Sequence, residues 1–568
     1  MGLVSHIREY MAFHGAAYTL THGMEKTAER LFRTYDRKYR KLQASSAELA
    51  YQRANPHTGM SFSFLIPVYN TRPAFLCDLL ESLLAQTEPN WEACLYNAGE
   101  NGDTADILTA YAAKDPRFRV VKADANEGIS GNTNCALHMA SGEWVILCDH
   151  DDILTDDAVW LVAEEIQRSN PDVVYTDEDK ITEDGKVHTD AHFKTDFGID
   201  SLRSANFVCH MLAVRRELMV RIGGERSRFD GSQDHDLMLR LSEETRKISH
   251  VRQICYHWRT VGSSASHTDR LRCMLASCNA VEEHLIRCGE SGTAEPDRGV
   301  IRIRYEIQRP LSVEILLYGD EKAQARSQKM IEQVNTFSPV RITRLPALPR
   351  YQAYNRGAEK SSADVFLFLD ASVTGMQKNT IEEMLMYAQR PDVGGVTTTL
   401  LTKHGHIRHA GFAYGMKGYA RCLQEGLLQQ AGGWHILARQ AHNVGAVSAA
   451  CLMVRRKVFL PFDEGYTGGL GSVEWSIRMH DRGYVHVVTP HGSMQCMDRA
   501  LLLNGNKRDE KDMQRILQSF GDKHDDCWHP CFGTKRADYK LDLHQAQAFL
   551  AKQRQGHRLE DQGNDGAV

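Results

Sequence analysis

No window of the 568-residue chain holds the roughly 18 uninterrupted apolar residues of a membrane span, so any contact with a membrane is expected from its surface. The start, Met1-Gly2-Leu3-Val4-Ser5-His6-Ile7-Arg8-Glu9, meets charge before an apolar stretch long enough for a secretory signal. His6 also stands where a myristoylation pattern requires Ser or Thr. Excess positive charge is missing too: 68 basic against 73 acidic side chains leave −5, which argues against a dedicated nucleic-acid binder. The 14 cysteines lack paired spacings, and Cys94, Cys148, Cys209 and Cys451 sit inside apolar runs, reading as reduced core residues. Cys527, His529 and Cys531, with His524 nearby, are zinc-type ligands without the spacing of a zinc finger and read as ordinary packing. What remains, at 42% hydrophobic and 25% charged residues, is a globular composition. Its length suggests about three to five units of ordinary size.

Residues 1–60 read as helical. Their basic stretch Arg33, Arg37, Lys38, Arg40, Lys41 is open to two readings, a solvated helix face or a patch for anionic lipid head groups. From Ser61 short apolar runs alternate with helical stretches, the pattern of parallel strands joined by crossover helices. Phe62–Ile66 is a first strand closed by Pro67-Val68-Tyr69-Asn70, residues 73–86 a helix, and Glu92–Tyr96 a second strand. Glu143–Cys148 is a buried strand that runs into Asp149-His150-Asp151-Asp152. Ligands of open α/β sheets collect at strand carboxyl ends, so these three ends converge on one candidate site. A fainter copy follows: residues 364–369 mirror 143–148, and 449–456 mirror 209–216. Between them 290–312 reads as a linker. The expected division is 1–60, helical; 61–300 and 301–500, two related domains; and 501–568, a helical, partly disordered tail.

Asp149, Asp151 and Asp152 repel one another, and a divalent oxygen-seeking ion such as Mg²⁺ or Mn²⁺ would neutralise them. Equally, they could cap a helix beginning near Thr155-Asp156-Asp157. Asp234 and Asp236 open an amphipathic helix, where either could act as a base or simply cap. His257, in Cys255-Tyr256-His257-Trp258-Arg259, could ligate a metal, contact a phosphate, or be structural.

Pro67-Val68-Tyr69-Asn70, Asn126-Glu127-Gly128-Ile129-Ser130 to Asn134, Asp149-His150-Asp151-Asp152, Thr176-Asp177-Glu178-Asp179-Lys180, Gln233-Asp234-His235-Asp236 and Tyr256-His257-Trp258-Arg259 occur in this order. Together they resemble family 2 glycosyltransferases of the GT-A fold, above all the two-module type of bacterial O-antigen, rhamnan and capsule assembly, over roughly residues 61–500. The resemblance implies tandem GT-A domains, α/β with mostly parallel, Rossmann-like sheets, and helical extensions at both ends. It implies an inverting transfer from a nucleotide-sugar donor to a glycan or lipid-linked glycan, with Mg²⁺ or Mn²⁺, at the inner face of the cell membrane. In it Pro67, Tyr69, Asn97, Asn134, Asp149 and Asp177 contact the donor, Asp149, Asp151 and His257 hold the metal, and Asp234 is the catalytic base.

Departures are specific. Asn97 stands where the family has Asp against the base, and Thr133 replaces an Arg, removing a phosphate contact. The second copy has Asp370-Ala371-Ser372, putting Ser where a metal ligand belongs, and Leu317-Tyr318-Gly319-Asp320 in place of the Pro-x-Tyr-Asn turn. Matching Arg478 to Arg240 puts Ser472 at the base position, so this copy is expected to keep the fold without transfer. His404, His406 and His409 read as surface or acceptor contacts rather than a metal site. Two other activities fit less well: a nucleotidyltransferase wants a glycine-rich basic loop after the first strand, and a glycoside hydrolase wants two carboxylates flanking a glycosidic bond. A transferase-fold scaffold in an assembly complex remains the alternative.

Overall fold

The computed structural model describes residues 3–564 apart from 262–268, 335, 337, 417–418, 497–506 and 522. The apolar runs of the first half become strands β1 (Phe62–Val68), β2 (Trp91–Asn97), β3 (Phe118–Lys122), β4 (Trp144–Leu147), β5 (Ile153–Leu154), β6 (Val173–Ile181), β7 (His188–His192), β8 (Leu212–Arg215) and β9 (Ile248–Arg259). They form one sheet in the order β3-β2-β1-β4-β8-β6-β9-β5, with β7 on β6. β1 is parallel to β2 and β4, β2 to β3, and β6 to β9, whereas β8 is antiparallel to β4 and β6, and β5 to β9. The carboxyl ends of β1, β2 and β4 therefore share one edge, where the acidic run begins.

β1 runs two residues past the expected Ile66. Val68 O accepts from Ala98 N–H on the β2 side, so alternation turns Pro67 toward β4. That ladder has already ended at Leu65↔Leu147, and the missing N–H of Pro67 costs no bond. Leu76, Leu79, Leu80 and Leu83 of the helix Pro73–Leu84 and Val159, Val162 and Ile166 of the helix Ala158–Ser169 pack on Phe64, Ile66, Leu95 and Ile146. Burying each such side chain contributes about 1.5–3 kcal/mol.

The second half repeats this plan. Its sheet runs Val340–Arg344, Val313–Tyr318, Val365–Asp370, Cys451–Arg455, Val393–Leu401, Val485–Cys496, Val373–Thr374. Neighbours are parallel, parallel, antiparallel, antiparallel, parallel and antiparallel, the same series as from β2 to β5 in the first sheet. The expected linker 290–312 contains a hairpin, Gly292–Asp297 with Val300–Tyr305. Positive φ at both Arg298 and Gly299 gives the turn that such a hairpin favours, and Ile301, Ile303 and Tyr305 are buried at the two-residue period that should have revealed it.

The chain gathers into two units: Gly23–Phe197, Asn206–Gly289 and the stretch from Ala546 form one, and the stretch through His22, Gly198–Ala205 and Glu290–Gln545 the other. The helix Ile199–Ser204 thus belongs with the second sheet, where Asp200 is paired with Arg390 and its N–H donates to Asn443 Oδ1 at 2.9 Å. Helices Leu3–His14, Ala16–Phe32, Thr34–Tyr39 and Ser46–Ala54 precede β1. Near the other end a helix spans Leu543–Asn564, and residues 565–568 of the tail expected to be disordered lie outside the described residues. Among the described residues no helix is long and apolar enough to cross a membrane.

Candidate active site

The acidic run after β4 divides its labour. Asp152 is fully buried, its Oδ2 accepting from the Tyr256 hydroxyl at 2.7 Å and its Oδ1 from Arg259 N–H at 2.7 Å. These bonds tie the end of β4 to β9, and burial with the neighbouring carboxylates Asp149 and Asp151 lifts its pKa well above the usual range. Asp149 is different: its side chain is 36% exposed, and its Oδ2 lies 3.6 Å from His210 Nε2. Asp151 has no side-chain hydrogen-bond partner among the described residues, and burial together with Asp149 raises its pKa. Two crowded carboxylates, one without a partner and penalised for its charge, are a donor set that fits a divalent cation.

Asp234 sits in the first turn of the helix Gln233–Glu244, half-buried. Its Oδ2 accepts from Asn206 Nδ2 at 2.9 Å and its Oδ1 from His235 N–H at 3.0 Å. Burial raises its pKa and Asp149 adds to the rise, while His210 pulls the other way. Asp149, His210 and Asp234 therefore share one electrostatic neighbourhood. Asp236, two residues on, is fully buried between Arg226 Nε and Arg240 Nε, each at 2.9 Å, which makes it an anchor. The first turn of the helix thus offers one of its two acids to the site.

His210 was invisible as a functional residue in the sequence. Its ring stacks on Tyr256 with centroids 4.9 Å apart, its N–H donates to Glu178 Oε2 at 2.9 Å, and its carbonyl accepts from the buried Lys194 ammonium at 2.6 Å. Glu225, also missed, is 6% exposed, and burial with the charges of Asp234 and Asp149 pushes its carboxyl up to about 8. The pair Gly223-Gly224 before it, both at positive φ, was the available signal.

Several expected contacts are spent elsewhere. Asn134 clamps the backbone of Glu225 on both sides, Oδ1 accepting from its N–H and Nδ2 donating to its carbonyl, each at 2.9 Å, so it positions that loop. Asp177 is fully buried, its Oδ1 accepting from Lys194 N–H at 2.8 Å and lying 2.9 Å from His250 Nε2. The strand register shifts on both sides of Asp177, and the neighbouring Glu178 is the β6 acid that accepts from the His210 backbone N–H. His257 stands with Asp179 and His188, three groups whose ligand atoms lie within 4.8 Å of one another and could hold a metal ion. Its Nδ1 lies 2.6 Å from Asp179 Oδ1 and its Nε2 3.1 Å from the Tyr39 hydroxyl. With His188 and Tyr35 also on Asp179, these groups form a separate buried cluster. Asn97 is 2% exposed, and its Oδ1 accepts from Gly99 N–H at 3.0 Å, capping the turn after β2. Pro67 is buried within β1, while Tyr69 just beyond is 49% exposed.

At the matching edge of the second sheet, Asp370 Oδ1 accepts from the Ser372 hydroxyl at 2.8 Å and Arg350 lies 3.6 Å from Asp370. Glu474 and Arg478 pair as Asp236 and Arg240 do, four residues apart, which supports matching Ser472 with Asp234. Ser472 is 1% exposed and donates to Gly469 O at 2.7 Å. Tyr351 packs on this helix start and donates to Gly468 O at 2.7 Å. This edge is filled by its own side chains. Of the nearby histidines, His404 and His406 are exposed, but His409 is fully buried in a strand against Phe412, so the expected surface role does not hold for it.

The model of glycosyl transferase family 2 matches residues 63–222. The uncharacterized protein y4gI of Sinorhizobium fredii is 31% identical over 519 residues, which cover 82% of this chain and 55% of that protein. The O-antigen biosynthesis protein RfbC of Myxococcus xanthus is 31% identical over 470 residues, covering 75% of this chain and 36% of that one. The chain therefore spans about half or less of these longer relatives. The crystal structure of Staphylococcus aureus TarS 1–349 in complex with UDP-GlcNAc aligns with a TM-score of 0.35 at 18% identity, over 40% of this chain and 67% of that one.

Proposed function

Residues 63–222 being a glycosyl transferase family 2 domain, we propose that the first sheet-bearing module is an inverting, metal-dependent glycosyltransferase that moves a sugar from a nucleotide donor to a bacterial surface polysaccharide or its lipid-linked precursor. The observation that carries the reading is the separation of roles among the acids: Asp152 and Asp236 are consumed by the fold, while Asp149 and Asp234 share the neighbourhood of His210 and Asp151 is crowded by Asp149. Asp149 and Asp151 would hold Mg²⁺ or Mn²⁺, which when bound supplies neutralisation of the leaving diphosphate.

Asp234 takes the proton of the acceptor hydroxyl at a carboxylate oxygen as the hydroxyl oxygen attacks the anomeric carbon from the face opposite the leaving group. Its raised pKa strengthens it as a base. Asn206 and the His235 N–H fix the carboxylate's orientation, and His210 balances its charge against Asp149. Tyr69, exposed beyond β1, is available to the nucleotide. The acceptor class follows the name of the relative RfbC, an O-antigen biosynthesis protein. Functionally the division is 61–300, active, and 301–500, retained without transfer. Exposed Leu31 and Phe32 beside Arg30 and Arg33 support peripheral contact with the inner membrane face.

The test is nucleoside diphosphate release from a panel of nucleotide sugars with Mn²⁺ or Mg²⁺, for wild type, Asp151→Asn and Asp234→Asn. Release should fall about 10²–10⁴-fold in Asp234→Asn, the usual worth of a general base. Wild-type protein that neither binds nor cleaves any donor would replace this reading with the scaffold.

A further inference from the structure

The two sheets can be compared residue by residue at the edge opposite the active site, and there their electrostatics part company. In the first sheet Arg215 closes β8 opposite Trp144, and its guanidinium pairs with Glu143 at 2.7 Å and Asp172 at 3.3 Å. In the second, Arg455 closes its strand opposite Val365, in the same position of the same topology. Its NH2 group donates to the carbonyls of Pro391 at 2.9 Å and Val393 at 3.3 Å, and its Nε is buried with no hydrogen-bond partner among the described residues. The acids that would answer it are committed elsewhere. Asp364, matching Glu143, accepts from Arg309 at 3.0 Å and from Ser312 N–H and Oγ at 3.0 and 2.8 Å. Asp392, matching Asp172, is held by Arg390 at 2.6 Å. The next residues sharpen the contrast: Arg215-Arg216-Glu217 in the first copy becomes Arg455-Arg456-Lys457 in the second, a reversal of charge.

Arg455, Arg456, Lys457 and Asp364 line a cavity of about 410 Å³, together with Arg309 and Gln308. Four cations face one carboxylate, Asp364, which already has its own partners. Arg456 donates through Nε to Ala363 O at 2.9 Å and, like Lys457, forms no ion pair among the described residues. A recess with a surplus of guanidinium and ammonium donors suits a multiply charged, oxygen-rich anion, because guanidinium groups meet phosphoryl oxygens with paired N–H bonds.

We propose that this pocket, at the amino-terminal edge of the second sheet, binds a phosphoryl group through Arg455, Arg456 and Lys457. The group is borne either by a lipid head group or by a soluble phosphorylated compound. The site is separate from the acidic edge of the first sheet and does not depend on the transferase reading.

The probe is inorganic pyrophosphate, titrated calorimetrically into the full chain carrying Asp151→Asn, with EDTA present so that the acidic site is silent. Binding should appear and weaken at least tenfold in Arg456→Gln/Lys457→Gln, whose exposed side chains can be changed without disturbing the core. Unchanged circular dichroism and an unchanged thermal unfolding midpoint establish that the double variant is folded. Vesicles of phosphatidylcholine with and without phosphatidic acid identify the source: co-sedimentation with phosphatidic acid that the double variant loses assigns a lipid head group, and its absence assigns a soluble ligand. No pyrophosphate binding, equal binding by the double variant, or vesicle binding without pyrophosphate binding would each overturn the site.

Discussion

His57 precedes β1 and joins two acids that are distant in sequence. Its Nε2 lies 2.9 Å from Glu164 Oε2, its Nδ1 3.2 Å from Glu88 Oε2, and its side chain is 7% exposed. Burial alone would favour the neutral imidazole, but the two carboxylates outweigh it and raise the pKa from 6.5 to about 9. At 1.36 kcal/mol per unit, that rise of about 2.5 units corresponds to about 3 kcal/mol of folding stability. Because the folded value lies above the unfolded one, the contribution is complete below pH 6.5, declines as pH rises toward 9, and is gone above it. Urea unfolding of wild type and His57→Gln, followed by tryptophan fluorescence, measures the difference; the Trp160 ring lies 5.0 Å from the imidazole and reports locally. The gap should be about 3 kcal/mol at pH 6 and near zero at pH 10. A gap independent of pH, or one that widens on the alkaline side, would refute the assignment of a charged His57 between Glu88 and Glu164.

Asn134→Ala removes two backbone bonds from Glu225, each of ordinary net worth near 1 kcal/mol or more when left buried and unpaired. The expected loss is about 1–3 kcal/mol in thermal or urea unfolding, together with lower donor turnover as the loop at Gly224 relaxes. Ser472→Asp, placed in an Asp151→Asn background, should restore no nucleoside diphosphate release, because Arg350 and Tyr351 already occupy the strand-end edge of the second sheet. Measurable release from that double variant would contradict the closed edge described for the second copy.

The strand ends, the acidic run after β4 and the helix opened by Asp234 were legible because each is written in a few contiguous residues. So was the internal copy, whose strand series repeats that of the first sheet. Roles that depend on a distant partner were not. Asn134 is a ligand or a clamp according to whether Glu225 stands beside it, and Asp152 is tied to Tyr256 and Arg259 across the sheet. In Asp177-Glu178-Asp179 all three acids are buried, and a shift of one residue exchanges Glu178, which accepts from His210 N–H, for Asp177, which accepts from Lys194 N–H. His257 looked available because nothing local announces Tyr39 or Asp179 as its neighbours. The hairpin at Gly292–Tyr305 is the exception, since its two-residue alternation was present and overlooked among charges.

The short helix Ile199–Ser204 lends its residues to the half of the molecule built around the second sheet, and the stretch from Ala546 returns to the first. Neither half is a continuous piece of chain, so no single cut releases one intact. A gene truncated near residue 300 would take Arg390 and Asn443 away from Asp200. Because the chain is made in order, the last piece of the first unit, the stretch from Ala546, is synthesised only after Glu290–Gln545 of the second. A module built this way can be duplicated whole, but exchanging it at one junction near residue 300 would part Asp200 from Arg390 and Asn443.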